Sequence, residues 1–320
     1  MDILGHPYFK TSPKLSYRFA AFAGYRRGEF TFFQFLNLLL PSSLKDQALA
    51  KKLQDFFNRY QEETSRDFIN PDGSFSLYGH PFYASSHGEA LVLIEQVIVQ
   101  DQYQARRWLK EGDTVIDAGA NIGTFSVKAA HDFPSVKIYA IEPATETFGL
   151  LEKNTAPYQS VTCVHAGLGD REGKKELAKY HGQLGTARIE GSVLAPHDER
   201  YGAIEKETVS LTTIDALVRK QNIPRVDFIK MDTEGYEEKI LRGAAETIKK
   251  WKPVIVMSAY HAPTDKTELP KLLKSICPEY VCELHRDAEE DLVCYASGRA
   301  VVPASDLTRG PRPAAGLAKQ

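Results

Sequence analysis

The sequence predicts an α/β protein: a doubly wound, mostly parallel sheet with an antiparallel edge hairpin, preceded by a mainly helical region. From residue 113 onward, short apolar runs alternate with amphipathic segments of about 10–15 residues, the pattern of strands joined by crossover helices. Before residue 113 this alternation is absent, and residues 45–63 carry apolar side chains at helical spacing. The last two apolar runs lie close enough together to form a hairpin.

The same change of pattern divides the chain into three parts. Residues 1–110 are expected to form an accessory region that shapes the substrate site, with a further helix at 89–99. Residues 111–298 are expected to form the α/β domain. Residues 299–320, rich in Ala, Pro, Gly and Arg, are expected to be a disordered tail.

Within the α/β domain, strands are predicted from apolar runs and helices from apolar residues that recur every three to four positions. The expected strands are 114–117, 136–141, 161–165, 208–211, 226–231 and 254–258. The expected helices are 122–131, 145–154, 213–221, 236–250 and 266–276. Short β pieces are expected at 174–180 and 187–190, and the edge hairpin at 280–284 and 291–295.

The bulk composition narrows the classes of function. The chain has 40 basic and 42 acidic residues and a net charge of -2, so no global positive field attracts nucleic acid. The most apolar run, residues 30–40, is about half of the roughly 20 residues that a membrane span needs. We expect a packed helix there and no membrane span, with contact to a membrane surface as the alternative.

The cysteines and the start of the sequence indicate a cytoplasmic location. The four cysteines, at positions 163, 277, 282 and 294, form no C-x-x-C pair, and their surroundings predict buried, reduced thiols rather than a zinc site. Reduced thiols are typical of intracellular compartments. The first residues lack the pattern of a secretory signal, which agrees with this expectation.

The stretch DAGANIGTF, residues 117–125, follows the first strand of the α/β domain, where ligands of open α/β sheets bind. Its glycine spacing fails the G-x-G-x-x-G dinucleotide fingerprint. Asp117 would repel a pyrophosphate, but it would suit a ligand that offers an amine. Gly119 and Gly123 would let the backbone approach that ligand. A tight turn without a ligand is the alternative.

Glu142 ends the next strand, where an acidic residue commonly accepts hydrogen bonds from ribose hydroxyls. An amine, a ribose and no phosphate describe S-adenosylmethionine, whose adenine is expected on residues 166–170. The alternatives for Glu142 are a solvated strand end and a cap for the following helix. The residues expected to bind the cofactor are Asp117, Gly119, Ala120, Asn121, Gly123, Glu142, Pro143, Gly167, Leu168 and Asp232.

Four stretches resemble the FkbM family of S-adenosylmethionine-dependent methyltransferases: 115–126, 138–154, 228–244 and 254–261. The third, FIKMDTEGYEEKILRGA, carries the family's pattern I-K-x-D-x-E-G-x-E followed by L-x-G-A. The resemblance implies a Rossmann-like class I methyltransferase fold. It also implies methyl transfer to a hydroxyl oxygen of a sugar, glycan or secondary metabolite, with S-adenosylhomocysteine as the product. Ala259 departs from the many family members that have a Glu two residues before the His.

Methyl transfer to oxygen requires alignment of the acceptor and a group that takes up the hydroxyl proton. Asp232 ends the fourth strand and His261 follows the fifth, so both are expected at adjacent strand ends and either is a candidate general base. Glu234 and Lys230 are further catalytic candidates. The alternative for Glu234 is a carboxylate in the first turn of a helix, and that for Lys230 is a structural ion pair. The alternative for His261 is a hydrogen-bonded loop histidine. For Glu237, on the helix that follows, a solvated position is expected.

A metal-assisted reaction is a second hypothesis. A divalent metal held by Asp232, Glu234 and His261 would bind and acidify the hydroxyl, although the sequence alone assigns no metal site. A methyltransferase of the same fold that acts on nucleic acid or protein stays open, as does a non-catalytic S-adenosylmethionine-binding protein. The near-neutral charge counts against nucleic acid. The expected partner is a small-molecule or glycan acceptor. Its identity and the oligomeric state do not follow from the sequence.

Overall fold

The computed structural model describes residues 69–180, 187–193, 203–286 and 289–298. It consists of two compact units, of which the first ends at Glu95 and the second begins at Gln96. The helix predicted at 45–63, the apolar run at 30–40 and the tail predicted at 299–320 lie outside the described residues.

In the described part of the first unit, β1 (Phe75–Leu77) pairs antiparallel with β2 (His80–Phe82). The next element, α1 (His87–Leu93), begins after Ser86, whose hydroxyl accepts a 3.4 Å hydrogen bond from the Glu89 backbone and caps the helix. A π-helical turn, Ile94–Val99, follows in sequence. These last two elements cover the helix predicted at 89–99.

The second unit contains the predicted alternation of strands and helices. Its strands are β3 (Thr114–Ala118), β4 (Lys137–Glu142), β5 (Val161–His165), β6 (Gly167–Leu168), β7 (Gly173–Tyr180), β8 (Arg188–Ile189), β9 (Ile204–Thr212), β10 (Phe228–Met231), β11 (Val254–Ser258), β12 (Tyr280–His285) and β13 (Asp291–Ala296). Its helices are α2 (Ala105–Trp108), α3 (Thr124–Asp132), α4 (Thr145–Thr155), α5 (Ile214–Lys220), α6 (Glu237–Arg242), α7 (Ala245–Trp251) and α8 (Asp265–Ile276).

The main sheet has seven strands in the order β12-β13-β11-β10-β3-β4-β5. The five strands from β11 to β5 run parallel, whereas β13 runs antiparallel to both β11 and β12. The chain therefore winds outward from β3 to one edge and then returns to build the other side. The predicted doubly wound, mostly parallel sheet with an antiparallel edge hairpin is confirmed.

The central strands β3, β10 and β11 are buried on both faces, as is typical of parallel strands covered by helices. Successive side chains point to opposite faces of the sheet. Ile116 and Met257 accordingly pack in one apolar cluster, and Val115 and Phe228 pack in the other. Both clusters hold the strands in register, so that their carboxyl ends meet at one edge.

The single helix predicted at 236–250 is wrong, because the chain forms two helices, α6 and α7. A Cβ atom on Gly243, between them, would lie only 2.0 Å from the Gly169 carbonyl oxygen, so the backbone packs directly on a neighbouring loop. The Asp215 carboxylate then accepts a 2.8 Å hydrogen bond from the Thr247 backbone and caps α7. The apolar residues keep their helical spacing through the break. The sequence pattern therefore did not reveal it, because the break depends on tertiary contacts.

A second sheet of four strands has the order β6-β9-β7-β8. In it, β9 pairs antiparallel with β7 from Ile204, opposite Tyr180, to Leu211, opposite Gly173. The prediction found only the apolar half of β9, at 208–211. The preceding residues, IEKE, are mostly charged and carry no strand signal.

The expectation of four reduced thiols is wrong for Cys282 and Cys294, which form a disulfide. They lie directly opposite each other in the β12–β13 pair, so their side chains share one face of the hairpin. Cys163 and Cys277 carry free thiols. The disulfide removes the cysteine argument for a reducing compartment. Among the described residues, no helix is both long enough and apolar enough to cross a membrane.

Candidate active site

The carboxyl ends of the parallel strands meet at one edge of the main sheet, where open α/β folds bind their ligands. Asp117 and Glu142 lie at the ends of β3 and β4, and Asp232 directly follows β10. Because β13 runs antiparallel to β11, its first residue, Asp291, lies at the same edge, opposite Ser258. Four acidic residues from distant parts of the sequence therefore share this edge.

Asp117 is fully buried, and the protein provides partners for both of its oxygens. Lys230 Nζ lies 3.2 Å from Oδ1, and the Ser126 hydroxyl donates a 2.7 Å hydrogen bond to Oδ2. Lys230 also donates a 2.6 Å hydrogen bond to the Gly119 carbonyl oxygen. Lys230 thus forms the structural ion pair that was its alternative interpretation. Contact between Asp117 and a ligand amine stays a prediction.

The turn after β3 lies between the ends of β4 and β10. The Gly119 and Ala120 backbone N–H groups donate to the Ile141 carbonyl oxygen at 3.1 and 2.9 Å. Gly119 has φ +71°, and a Cβ atom there would lie 2.0 Å from the Asp232 carbonyl oxygen. The close approach between two strand ends therefore requires glycine at this position, whatever ligand binds beside it.

Gly123 has a packing role. It has φ +91° and precedes α3, and a Cβ atom there would lie 2.9 Å from Leu151 Cδ1 and 3.3 Å from Thr155 Cγ2. Leu151 and Thr155 belong to α4, so this glycine lets α3 begin close to α4. Its predicted contact with the cofactor is not tested by these distances and stays a prediction.

Glu142 is buried at the end of β4 and accepts two backbone hydrogen bonds. Asn121 donates to Oε2 at 3.0 Å and Ala144 donates to Oε1 at 2.9 Å. Burial raises the pKa of Glu142 to about 7, against the lowering effect of these two bonds. Each oxygen can accept one more hydrogen bond. The Asn121 side-chain oxygen is also buried and has no hydrogen-bond partner among the described residues.

Three further residues of the predicted cofactor set follow β4 and β5. The Pro143 carbonyl oxygen lies 3.1 Å from His165 Nε2. Gly167 and Leu168 form β6, and a Cβ atom on Gly167 would lie 2.5 Å from Leu211 Cδ2. Gly167 therefore fits closely against β9, its neighbour in the second sheet. Contact of these residues with an adenine stays a prediction.

Asp232 follows β10, and its side chain is one-quarter exposed (25%). The Tyr103 hydroxyl donates a 2.8 Å hydrogen bond to Oδ2, and the Tyr260 hydroxyl lies 3.4 Å from Oδ1. Tyr103 is buried, and its burial and the charge of Asp232 raise its pKa, so this hydroxyl keeps its proton and donates. No sequence pattern pointed to Tyr103, which precedes the predicted α/β domain.

His261 lies beyond β11, and only 3% of its side chain is exposed. Its Nδ1 lies 3.3 Å from Glu237 Oε1, and its Nε2 lies 3.9 Å from Asp232 Oδ1. Burial lowers the pKa of His261, but the contact with Glu237 and the charge of Asp232 outweigh burial and raise it to about 9. The structure thus brings Asp232 and His261 together, as expected of adjacent strand ends.

The solvated position expected for Glu237 is wrong, because the residue is only 2% exposed. Its Oε1 accepts hydrogen bonds from the Thr233 backbone and hydroxyl, both at 2.9 Å. Helical spacing could have found it. Glu237 lies three and four residues before the buried Ile240 and Leu241, so the three share one face of α6.

Glu234, in contrast, points to a different partner. It has φ +52°, and its Oε2 lies 3.9 Å from Arg188 Nε. Burial and the charge of Asp232 raise the pKa of Glu234 to about 7. The cluster whose donor atoms lie within 4.8 Å of one another consists of Asp232, Glu237 and His261. In the metal hypothesis, Glu237 therefore takes the place given to Glu234.

Asp291 is a second acidic residue that the site prediction missed. It is 2% exposed, and the Ser258 hydroxyl donates a 3.4 Å hydrogen bond to its Oδ1. Burial and the charge of Asp232 raise its pKa to about 7. The predicted hairpin could have indicated it, because the last strand of an antiparallel edge begins at the ligand end of the sheet.

The strand order and the acidic residues at the ends of β3, β4 and β10 define a Rossmann-like methyltransferase. The family model described as the Methyltransferase FkbM domain matches residues 117–287, just over half of the chain. The chain belongs to the FkbM methyltransferase family, which confirms the resemblance, and the protein is a methyltransferase. The matched range includes Asp232, Glu237 and His261 and excludes Tyr103 and Asp291.

Three curated relatives are also methyltransferases by name. Methyltransferase sdnD of Sordaria araneosa is 28% identical over 207 residues, which cover 54% of this chain and 79% of the relative. Hexuronic acid methyltransferase AglP of Haloferax volcanii is 28% identical over 188 residues, 58% of this chain and 70% of the relative. 31-O-demethyl-FK506 methyltransferase FkbM of Streptomyces tacrolimicus is 26% identical over 185 residues, 50% of this chain and 70% of the relative.

Proposed function

We propose that the protein transfers a methyl group from S-adenosylmethionine to a hydroxyl oxygen of a sugar, a glycan or a secondary metabolite. One observation carries the proposal: a single turn, residues 119–121, contacts both Glu142 at the end of β4 and the backbone of Asp232 after β10. The Asn121 backbone bonds Glu142, and Gly119 packs against the Asp232 carbonyl oxygen. A ligand on this turn would reach the carboxylate suited to a ribose and the carboxylate suited to an acceptor.

The residues at the turn fit S-adenosylmethionine. Glu142 has capacity to accept from ribose hydroxyls, and the buried, unpaired Asn121 side-chain oxygen can accept from a ligand amine or hydroxyl. Lys230 partly neutralises Asp117 and fixes the Gly119 carbonyl oxygen, so the turn is held in shape before a ligand arrives. When bound, the cofactor supplies an electrophilic methyl group on a sulfonium sulfur.

Asp232 is the side chain we assign to the acceptor hydroxyl. Its Oδ2 is held by Tyr103, and Oδ1, whose contact with the Tyr260 hydroxyl is longer at 3.4 Å, is assigned to accept the hydroxyl proton. His261 is the other candidate base, but its side chain is only 3% exposed and its Nδ1 faces Glu237 Oε1 at 3.3 Å. We therefore assign His261 to positioning. The orientation that such contacts impose on a hydroxyl supplies much of the acceleration in displacement reactions.

The proposed acceptor class is supported by two relatives. One is named for a hexuronic acid and the other for 31-O-demethyl-FK506, and both names agree with a hydroxylated small-molecule acceptor. The net charge of -2 gives no electrostatic support to a nucleic-acid acceptor. An accessory role for residues 1–110 and a cytoplasmic location are part of the same proposal.

The experiment has two separate readouts. Calorimetry measures binding of S-adenosylmethionine, and a panel of sugars and hydroxylated natural products measures S-adenosylhomocysteine formation. We expect saturable binding that Glu142→Ala weakens, and turnover with a hydroxylated acceptor that Asp232→Asn abolishes without loss of binding. Absence of binding would refute the cofactor. Binding without turnover on any acceptor would favour a non-catalytic role, and methylation of RNA or protein alone would refute the acceptor class.

A further inference from the structure

Asp232, Glu237 and His261 form a cluster of potential metal ligands that the proposed function leaves partly unused. Each offers one donor atom, and the three atoms lie within 4.8 Å of one another. They come from the end of β10, the start of α6 and the residues after β11. The fold therefore brings one imidazole and two carboxylates together around Asp232, the residue assigned to the acceptor hydroxyl.

The state of His261 points to a ligand. Its side chain is 3% exposed, yet neither ring nitrogen makes a hydrogen bond of acceptable geometry with the described residues. Nδ1 faces Glu237 Oε1 at 3.3 Å and Nε2 faces Asp232 Oδ1 at 3.9 Å. A buried polar group without a hydrogen bond is costly. A cation between the ring and the carboxylates would satisfy it.

Both carboxylates are oriented from outside the cluster. Tyr103 donates to Oδ2 of Asp232, and the Thr233 backbone and hydroxyl donate to Oε1 of Glu237. One oxygen of each carboxylate is thus held by the protein. In Asp232 the other oxygen, Oδ1, faces His261, whereas in Glu237 the held oxygen, Oε1, itself faces the ring. Such outer hydrogen bonds are characteristic of metal sites, in which they set the orientation of the ligands.

The charges at the edge favour the same conclusion. Glu234 lies two residues after Asp232, and Asp291, opposite Ser258, begins the neighbouring edge strand at the same end of the sheet. The edge thus carries more carboxylates than its cationic side chains balance. Arg188 lies 3.9 Å from Glu234, and Lys230 is engaged with Asp117.

We propose that Asp232, Glu237 and His261 bind a divalent first-row transition ion such as Mn²⁺, Co²⁺ or Zn²⁺. One imidazole and two carboxylates suit these ions, whereas Mg²⁺ and Ca²⁺ prefer oxygen ligands alone. Three protein ligands leave coordination positions open, as in catalytic sites. The inference rests on the proposed function and refines it: the ion would bind and acidify the acceptor hydroxyl, whose proton would pass to water, with Asp232 as a ligand of the ion rather than as the direct proton acceptor.

The test uses the full chain after treatment with a chelator. Calorimetry measures binding of Mn²⁺, and visible absorption follows Co²⁺. We expect one equivalent of either ion to bind, with Mg²⁺ weaker by at least about tenfold. Glu237→Gln and His261→Ala should each weaken binding by about tenfold or more. Glu238→Gln is the matched control, because Glu238 is adjacent in sequence but half exposed and paired with Arg242.

Separate readouts distinguish this inference from the proposed function. Circular dichroism checks that each variant folds, and Asp232→Asn, at a more exposed position, is a third variant that tests the site. The metal proposal is overturned if none of the three ions binds saturably, or if the three ligand variants bind as well as Glu238→Gln. Retained S-adenosylmethionine binding and full turnover in chelator-treated enzyme would reject the role of the ion in the reaction and leave the methyltransferase proposal standing.

Discussion

The Tyr103 hydroxyl donates a 2.8 Å hydrogen bond to Oδ2 of Asp232, a residue 129 positions further along the chain. Tyr103 precedes the first strand of the main sheet and lies outside the range that the family model matches, whereas Asp232 lies within it. A segment outside the range of the family model therefore contributes a hydrogen bond to this acidic edge. The orientation of the Asp232 carboxylate depends on this bond.

Replacing Tyr103 by Phe should lower kcat by about tenfold, the equivalent of ~1.4 kcal/mol, because a hydrogen bond to a charged group is lost. Binding of S-adenosylmethionine should be unchanged, since Glu142 and the turn are untouched. Tyr295→Phe is the matched control. It removes a tyrosine–carboxylate bond, to Glu283, in the second half of β13, away from the end where Asp291 lies. Equal turnover of the two variants would show that the Tyr103 bond has no role in the reaction.

The buried ion pair between Lys230 and Asp117 should be strongly coupled. Lys230→Met leaves Asp117 as a buried carboxylate without its cation, and we expect a loss of about 3–5 kcal/mol in the free energy of unfolding. The double variant with Asp117→Asn should lose much less than the sum of the two single variants. Urea unfolding measures all three.

Arg219→Gln serves as the control for these three variants of Lys230 and Asp117. Arg219 and Glu246 form an ion pair in which both side chains are mostly exposed, so its loss should cost less than about 1 kcal/mol. If the costs of the two buried substitutions simply add, Lys230 and Asp117 act independently and the ion pair does not hold the turn.

Gly119→Ala should destabilise the protein more than Gly112→Ala. Both glycines have positive φ, so both substitutions carry the same kind of backbone strain. At Gly112 no atom of the described residues lies within 4 Å of the added Cβ, whereas at Gly119 the Asp232 carbonyl oxygen lies 2.0 Å away. We expect an extra loss of about 2 kcal/mol at Gly119. Thermal unfolding of the two variants measures it, and equal losses would contradict the contact.

Glu142 should make stability fall as pH rises. Burial raises its pKa from 4.5 to about 7, so the folded state holds this proton more tightly than the unfolded chain does. The contribution is fully present below about 4.5 and is lost as the pH rises to about 7, with an upper limit of about 3 kcal/mol. Glu142→Gln removes this titration but also one backbone acceptor. The readout is therefore the change with pH in the difference between variant and wild type, and a constant difference would refute the shifted pKa.

The main sheet could be predicted because its central strands are buried on both faces. Burial on both faces produces unbroken apolar runs, and the predicted strand at 254–258 coincides with β11. The doubly wound topology follows from the alternation with helices. Convergence of Asp232 and His261 was predictable for the same reason, since both follow neighbouring parallel strands.

The partners of the site residues could not be predicted, because they depend on contacts between distant segments. Tyr103 carries no local pattern, and the fit of Gly119 against the Asp232 carbonyl oxygen exists only once β3 and β10 are paired. The position of Glu237 was different. Glu237 shares a helix face with Ile240 and Leu241, whose apolar side chains predict that this face is buried. Its charge alone wrongly suggested exposure.

The disulfide between Cys282 and Cys294 has a practical consequence for enzymology. Cys294 lies three residues after Asp291 on the same strand, so the covalent link anchors the strand that delivers this carboxyl group to the edge. Protein produced in a reducing host, or stored with a thiol reagent, would be a chemically different sample from oxidised protein. Kinetic constants from the two preparations should be compared only after the number of free thiols in each has been counted.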